Sequence, residues 1–226
     1  MDNLVVRSAV VLCMMATPLI DFGLYALSSC LTNRRAFTLK MQQRALHDWH
    51  GNVLNYILTW YLIYNGLTWD VPGWVDGFKL VAYFFMVDAV FYALHRACHR
   101  FFYYAIHQQH HLCKPTGSHC ARDSHWLDAT LENVSFFTPF FVVSYNAYCA
   151  FACLLANGVW ASYIHTYPTR IERGSFMVSP YLHWIHHQFG GVSSCNYALY
   201  FTVWDRLLGT LNEDSKIAWV VRVEHD

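Results

Sequence analysis

The chain has 226 residues, enough for one domain with a sizeable core. It is 55% hydrophobic and 18% aromatic but only 13% charged, where an average soluble domain is about 25% charged, so lipid contact is expected. Net charge is zero with histidine neutral, and no basic stripe or acidic tail suits a nucleic-acid partner.

In chain order, the first apolar region runs over residues 9–31, broken by Pro18 and Asp21 and followed by Arg34 and Arg35. It is too long for a typical signal-peptide core and reads as an uncleaved membrane anchor. Residues 1–50 are therefore assigned as an anchor plus a basic loop, and 51–226 as the catalytic unit. The second apolar region is 52–67, and the turn WDVPGWVDG separates it from the third, 78–100, which is apolar first and histidine-bearing last. The fourth, Val134 to Ile164, carries no charged side chain. A straight helix of that length would measure about 46 Å, against a bilayer core of about 30 Å. It is either one overlong span or a hairpin of two.

The histidines, 14 in all, bear on that choice. LHRACHR holds His95 and His99; IHQQHH holds His107, His110 and His111; HWIHHQFGG holds His183, His186 and His187. If they build one site, an even number of crossings must separate His111 from His183, which selects a hairpin bent near Tyr145 to Tyr148. Basic residues follow the first span, the third span and the hairpin, whereas the loop holding Asp70 and Asp76 is acidic. The positive-inside rule then places every histidine cluster in the cytosol. The expected fold class is all-α: an integral membrane protein of four to five transmembrane helices under a cytosolic histidine-rich cap.

Residues at i, i+3 and i+4 share one helix face, so three helical segments can aim eight imidazoles at one place. Eight exceed the needs of one tetrahedral ion, which points to two ions sharing a site. Imidazole suits zinc, copper, iron and nickel alike. A site beside apolar spans suits oxidation of a lipid C–H bond, which favours iron with dioxygen. His47, His50 and His225 are isolated and read as ordinary histidines, and His119 is not placed in the site. A ligand imidazole normally donates its second N–H to a carboxylate or carbonyl. Asp88, seven residues before His95 on the same helix face, is a candidate orienting group, because intramembrane carboxylates are costly and usually functional. The eight cysteines include no CxxC pair, and a chain of this kind is not expected to hold a disulfide framework.

The succession HRACH, HQQHH, HWIHH resembles the fatty acid hydroxylase and sterol desaturase superfamily of integral-membrane di-iron enzymes. VDAVFYALHRACH is similar to the family's Asp-x3-Tyr-x2-His-Arg segment, with Asp88, Tyr92, His95 and Arg96. SHWLDATLE resembles its His-Pro-x-Glu/Asp segment, with His125 and Asp128. NYALYFTVWDRLLGT resembles its closing stretch, with Asn196, Tyr197, Trp204, Asp205, Gly209 and Thr210. The resemblance covers about residues 80–211.

It implies two iron ions, dioxygen as co-substrate, and an external electron donor such as cytochrome b5 with its reductase. It also implies an endoplasmic-reticulum location and a lipid substrate that is hydroxylated or desaturated. A sterol is expected, with a fatty acyl or sphingolipid as the alternative. A catalytically inactive membrane metal-binding protein is the reading from another class. The implied ligands are His95, His99, His107, His110, His111, His125, His165, His183, His186 and His187, with Asp88, Asp128, Asn196 and Asp205 around them. Zinc could replace iron at such ligands in a purified sample. Members with a second histidine four residues after the His165 counterpart have no match here, because position 169 is Thr. Trp126 and Ala198 also replace the family's Pro and Gly.

Overall fold

A computed structural model describes residues 58, 61, 66–114 and 116–214. The expected N-terminal anchor, most of the second apolar region, and His47, His50 and His225 lie outside the described residues, as does the His119 side chain.

The architecture is helical. Helix α1, Trp74–Phe102, is 29 residues long, about 43 Å. Its first turn closes where Gly73 N–H donates to the Asp76 carboxylate at 2.7 Å, and its last turn carries Arg100, a cation suited to the negative end of a helix dipole. At Phe102 the backbone leaves helical geometry (φ −127°, ψ 11°), and a π-helical turn, Tyr103–His107, leads into the short helix α2, Gln108–His111.

That break decides where the site lies. Along a straight helix, 12 residues span about 18 Å, yet the Nε2 atoms of His95 and His107, 12 apart in sequence, lie 3.2 Å from each other. The chain folds back on itself at Phe102, and the histidines fill the inside of the elbow. A π turn is a common device for such a bend.

Cys113 and Cys120 then form a disulfide, which corrects the expectation of none. The turn through Gly117, whose N–H reaches the Cys120 sulfur at 3.3 Å, returns the chain and leaves the two Cα atoms 5.6 Å apart, within bridging range.

Helix α3, Trp126–Val142, and helix α4, Ala147–Ile164, follow. The break between them replaces the single overlong helix. It falls at Val143 to Asn146, at the near edge of the expected bend, because Asn146 caps α4 by accepting from Tyr148 N–H at 2.9 Å. The start of α3 brings Asp128 to His107, and the end of α4 brings His165 to His110. Both helices therefore begin or end at the histidine cluster, so they run antiparallel. A two-residue parallel pairing, Leu67–Thr68 (β1) with Tyr145–Asn146 (β2), steadies the far end.

Helix α5, Pro180–Phe189, carries the third histidine motif. Ser179 caps it, accepting from Leu182 N–H at 3.3 Å, with Pro180 in the first turn, where its missing N–H costs nothing. Helix α6, Val203–Leu207, is short.

The core joins α1 to α3, α4 and segment 197–200 through Tyr83, Val87, Phe91, Phe137, Phe140, Ile164 and Tyr200. Within it, Asn157 donates to the Tyr83 hydroxyl, and that hydroxyl donates to the Phe136 carbonyl at 2.9 Å. The run beginning at Trp74 and helix α4 are both long and apolar enough to cross a membrane. The outer face of α1 exposes Trp74, Phe78, Val81 and Phe85, a contiguous apolar surface of the kind that marks an interaction site.

Candidate metal centre

The three motifs distribute their imidazoles between two groups. His95, His99, His107, His111 and His186 form one; His110, His165, His183 and His187 form the other. Within each group the ligand nitrogens lie within 4.8 Å of one another, and every one of these side chains is buried.

Both HxxHH motifs divide in the same way. Positions i and i+4 (His107 and His111) serve the first group and i+3 (His110) the second. In α5, His183 and His187 serve the second group and His186 the first. The helical repeat explains the split: at about 100° per residue, i and i+4 differ by about 40°, whereas i+3 sits about 60° to the other side. One short helix thus feeds two adjacent centres.

The first group is held by a collar of acceptors. His95 Nδ1–H donates to the Tyr197 carbonyl at 2.8 Å, His99 to the Gly191 carbonyl at 2.7 Å, and His186 to the Cys195 carbonyl at 2.7 Å. His107 Nδ1–H donates to the Asp128 carboxylate, at 2.9 and 3.0 Å from its two oxygens. With Nδ1 carrying the proton, Nε2 presents a lone pair. The Nε2 atoms of His95 and His107 nonetheless face each other at 3.2 Å. Two lone pairs cannot hydrogen-bond, and a cation between them would reconcile the pair. Ligand nitrogens about 2.1 Å from one ion are themselves about 3 Å apart at right angles. The buried Nε2 of His186 has no hydrogen-bond partner, which suits a metal-ligand atom.

In the second group His165 is held in the same way, whereas Nδ1 of His183 and of His187 is buried with no hydrogen-bond partner. His165 Nδ1–H donates to the Ala161 carbonyl at 2.7 Å. Its Nε2 lies 3.2 Å from that of His110 and 2.9 Å from that of His183, which in turn is 3.2 Å from that of His187. Four imidazoles assemble without position 169; Thr169 is exposed.

His125 does not join either group. Its Nδ1 accepts from Leu127 N–H at 3.2 Å, and it caps α3. It sits at the helix start, where its ring satisfies a free N–H.

The carboxylates divide by task. Asp128 touches a ligand imidazole directly. Asp88, expected to orient His95, instead accepts the backbone N–H groups of Leu199, Tyr200 and Phe201 at 2.8 to 3.0 Å. Asp205 accepts those of Tyr197 and Ala198 and the Thr210 hydroxyl. Asn196, at φ 55°, donates to the Leu182 and Asn212 carbonyls. These three therefore fasten the segment whose carbonyls hold the imidazoles. The collar carbonyls of Gly191, Cys195, Tyr197 and Ala161 carry no sequence signal, because every residue has a carbonyl.

Burial, then repulsion among neighbouring imidazoles, holds His183, His186 and His187 well below the usual histidine range. They are neutral at pH 7, the form that binds metal. Burial raises the Asp128 carboxyl, opposed by the nearby imidazoles.

Gly190 ends α5 at φ 41°, and a Cβ there would meet the Tyr103 hydroxyl at 2.9 Å. The glycine lets α5 lie against the elbow of α1.

A helical fold enclosing two all-imidazole clusters, each of which could hold a metal ion, defines a class of histidine-rich candidate metalloproteins. The sequence of residues 80–210, more than half of the chain, matches the family model described as fatty acid hydroxylase, and the chain belongs to that family. It is similar to lathosterol oxidase from Mus musculus, 28% identical over 65% of this chain and 50% of the relative. The human lathosterol oxidase is 25% identical over 61% of this chain and 46% of the relative. The Delta(7)-sterol 5(6)-desaturase of Eremothecium gossypii is 30% identical over 67% of this chain and 42% of the relative. The chain thus spans about half the length of the curated relatives it matches. No solved structure matches it.

Proposed function

We propose that this chain is a membrane-bound oxygenase that uses dioxygen to desaturate a sterol, with two iron ions held by the five-histidine and four-histidine groups. The observation that carries this reading is the pair of adjacent, buried, neutral imidazole clusters, the first with the lone pairs of His95 and His107 facing each other. Iron bound there supplies the activation of dioxygen and the oxidation of an unactivated C–H bond. The chain's own residues hold ligands and exclude water: Asp128 and the carbonyl collar fix the tautomer and direction of His95, His99, His107, His165 and His186, and burial keeps the imidazoles unprotonated.

The relatives' names support a Δ7 sterol and a new 5(6) double bond. The location proposed is the endoplasmic-reticulum membrane, multi-pass, with the clusters facing the cytosol. The electron donor proposed is cytochrome b5 with its reductase. The second reading, a fatty acyl or sphingolipid hydroxylase, is favoured by the family model's description.

The test is complementation of yeast strains lacking, one at a time, a sterol desaturase, a sterol methyl oxidase or a fatty acid hydroxylase, with lipids read by mass spectrometry. Rescue of the sterol desaturase strain is expected. Rescue of the fatty acid hydroxylase strain alone moves the substrate to the acyl class. Membrane-inserted protein that binds two metals yet rescues none supports the inactive metal-binding alternative.

A further inference from the structure

The outer face of α1 changes character along its length. From Trp74 to Ala93 its exposed side chains are apolar, among them Phe78, Val81, Ala82 and Phe85. At 1.5 Å per residue this stretch measures about 28 Å, close to the bilayer core of about 30 Å. Arg96 and Arg100 follow, both exposed. At about 100° per residue, Arg96 projects about 20° from Phe85 and Arg100 about 60°, so the two cations continue the apolar stripe. They stand about 5 and about 10 Å beyond Ala93 along the axis, at the depth of a polar headgroup layer. Helical side chains lean towards the N-terminus, which turns both guanidinium groups back towards the apolar stretch.

A hollow of about 320 Å³ opens at this pair, lined by Arg96, Arg100, Ser193, Ser194, Tyr197 and Thr210 among others, with no carboxylate in its wall. Arg170 and Arg206 each pair with a glutamate, Glu172 at 2.7 Å and Glu213 at 3.7 Å. Neither Arg96 nor Arg100 has a carboxylate within ion-pair distance among the described residues. Arg96 is nonetheless held in place. It donates to the Tyr92 hydroxyl at 3.1 Å, that hydroxyl bonds to the Thr210 hydroxyl at 2.9 Å, and Thr210 donates to the buried Asp205 at 2.7 Å. This anchor uses one of the five N–H donors of a guanidinium and leaves the others to a ligand.

We propose that this hollow binds the phosphate of an anionic phospholipid from the leaflet at the histidine end, with the acyl chains lying along Phe85, Val81 and Phe78. The site rests on the membrane-bound reading proposed above and is independent of the reaction. Guanidinium groups pair with phosphate oxygens in a planar fork, and basic pockets at the ends of membrane helices suit anionic headgroups. Ser193 adds an exposed hydroxyl. Free phosphate offers the same charge, but the apolar stripe leading to the hollow matches a ligand that carries acyl chains. The headgroup would rest on segment 191–197, whose Gly191, Cys195 and Tyr197 carbonyls hold His99, His186 and His95, so the lipid site adjoins the collar of the first histidine group.

The experiment places the full chain in nanodiscs of phosphatidylcholine with a minor share of phosphatidylinositol. Native mass spectrometry then counts the lipids that the protein retains. Wild type is expected to retain phosphatidylinositol in preference to phosphatidylcholine. A basic side chain near an anionic lipid surface contributes about fivefold in binding. Arg100→Gln should therefore lower the ratio of the two lipids about fivefold, and Arg96→Gln combined with Arg100→Gln about 25-fold. Ser193→Trp fills the hollow while keeping both arginines and should also lower the ratio. Arg206→Gln, outside the hollow, should leave it unchanged, and excess inorganic phosphate should not displace the lipid.

An inserted wild type that retains the two lipids in their bulk proportion overturns the proposal, and so does a preference that survives in the double glutamine variant. An equal loss in Arg206→Gln overturns it too, because the effect is then one of diffuse surface charge. Displacement by inorganic phosphate makes the hollow a free-anion site and removes the lipid. If the glutamine variants fail to insert, Ser193→Trp decides, and an unchanged ratio there overturns the site. A wild-type chain that stays out of the nanodisc removes the membrane-bound reading, and the lipid site falls with it.

Discussion

Asp128→Asn separates the metal centre from the fold. Both Asp128 oxygens lie within 3.0 Å of His107 Nδ1, and the residue is 1% exposed. The substitution keeps the shape and one acceptor oxygen but removes the charge. A hydrogen bond to a charged group is worth about 1.5–3 kcal/mol against about 0.5–1.5 for a neutral one, a difference of about 1 kcal/mol or slightly more. Loss of such a partner to a ligand imidazole typically lowers metal affinity about 10- to 100-fold, or about 1.4–2.7 kcal/mol. The two routes agree near tenfold. Without metal the sign reverses: burial raises the Asp128 carboxyl, so a neutral amide should leave the apo-protein as stable or more so. The assay is a chelator-competition titration of detergent-solubilised protein, paired with apo-protein melting. Metal affinity within twofold of wild type would refute the assignment of His107 as a ligand oriented by Asp128. Asp88→Asn is the contrast: it weakens three backbone contacts and touches no imidazole, so it should lower the apo-protein Tm more than it lowers metal affinity.

His186→Ala and His110→Ala each remove one imidazole from a different group, and each should abolish turnover and reduce bound metal while the protein still inserts; normal activity in either would sink the dimetal reading. Gly190→Ala should destabilise by about 1 kcal/mol or more, because it combines a positive φ with a Cβ crowding Tyr103, and an unchanged Tm would contradict the close packing of α5 on the elbow. Acidification should destabilise the metal-free protein. His183, His186 and His187 stay neutral when folded, whereas the unfolded chain takes up protons near pH 6.5. Stability is full above that value and falls by about 1 kcal/mol per histidine between pH 7 and 5.5. A melting temperature that rises over this interval would show that these rings are charged in the fold.

Much of the site was legible because ligand chemistry needs particular side chains at particular spacings. HRACH, HQQHH and HWIHH announce metal binding whatever surrounds them, and the uncharged run 134–164, too long for one crossing, implied the break that Asn146 caps. The Cys113–Cys120 bridge was not legible, since it depends on a turn through Gly117 that composition does not encode. Asp88 looked like a partner of His95 by helix periodicity alone. Three backbone N–H groups more than a hundred residues later claim it instead.

The sequence by itself determined the donor set, neutral imidazoles numerous enough for two ions, and the apolar lengths on which they are mounted. Only the tertiary structure decided which histidine falls in which group, that His125 caps a helix, and that carbonyls from segment 191–197 hold His95, His99 and His186. Periodicity orients side chains around one helix axis, but the meeting of His95 with His107 depends on the chain reversing at Phe102. Such a reversal is a property of packing among distant segments, not of any local repeat.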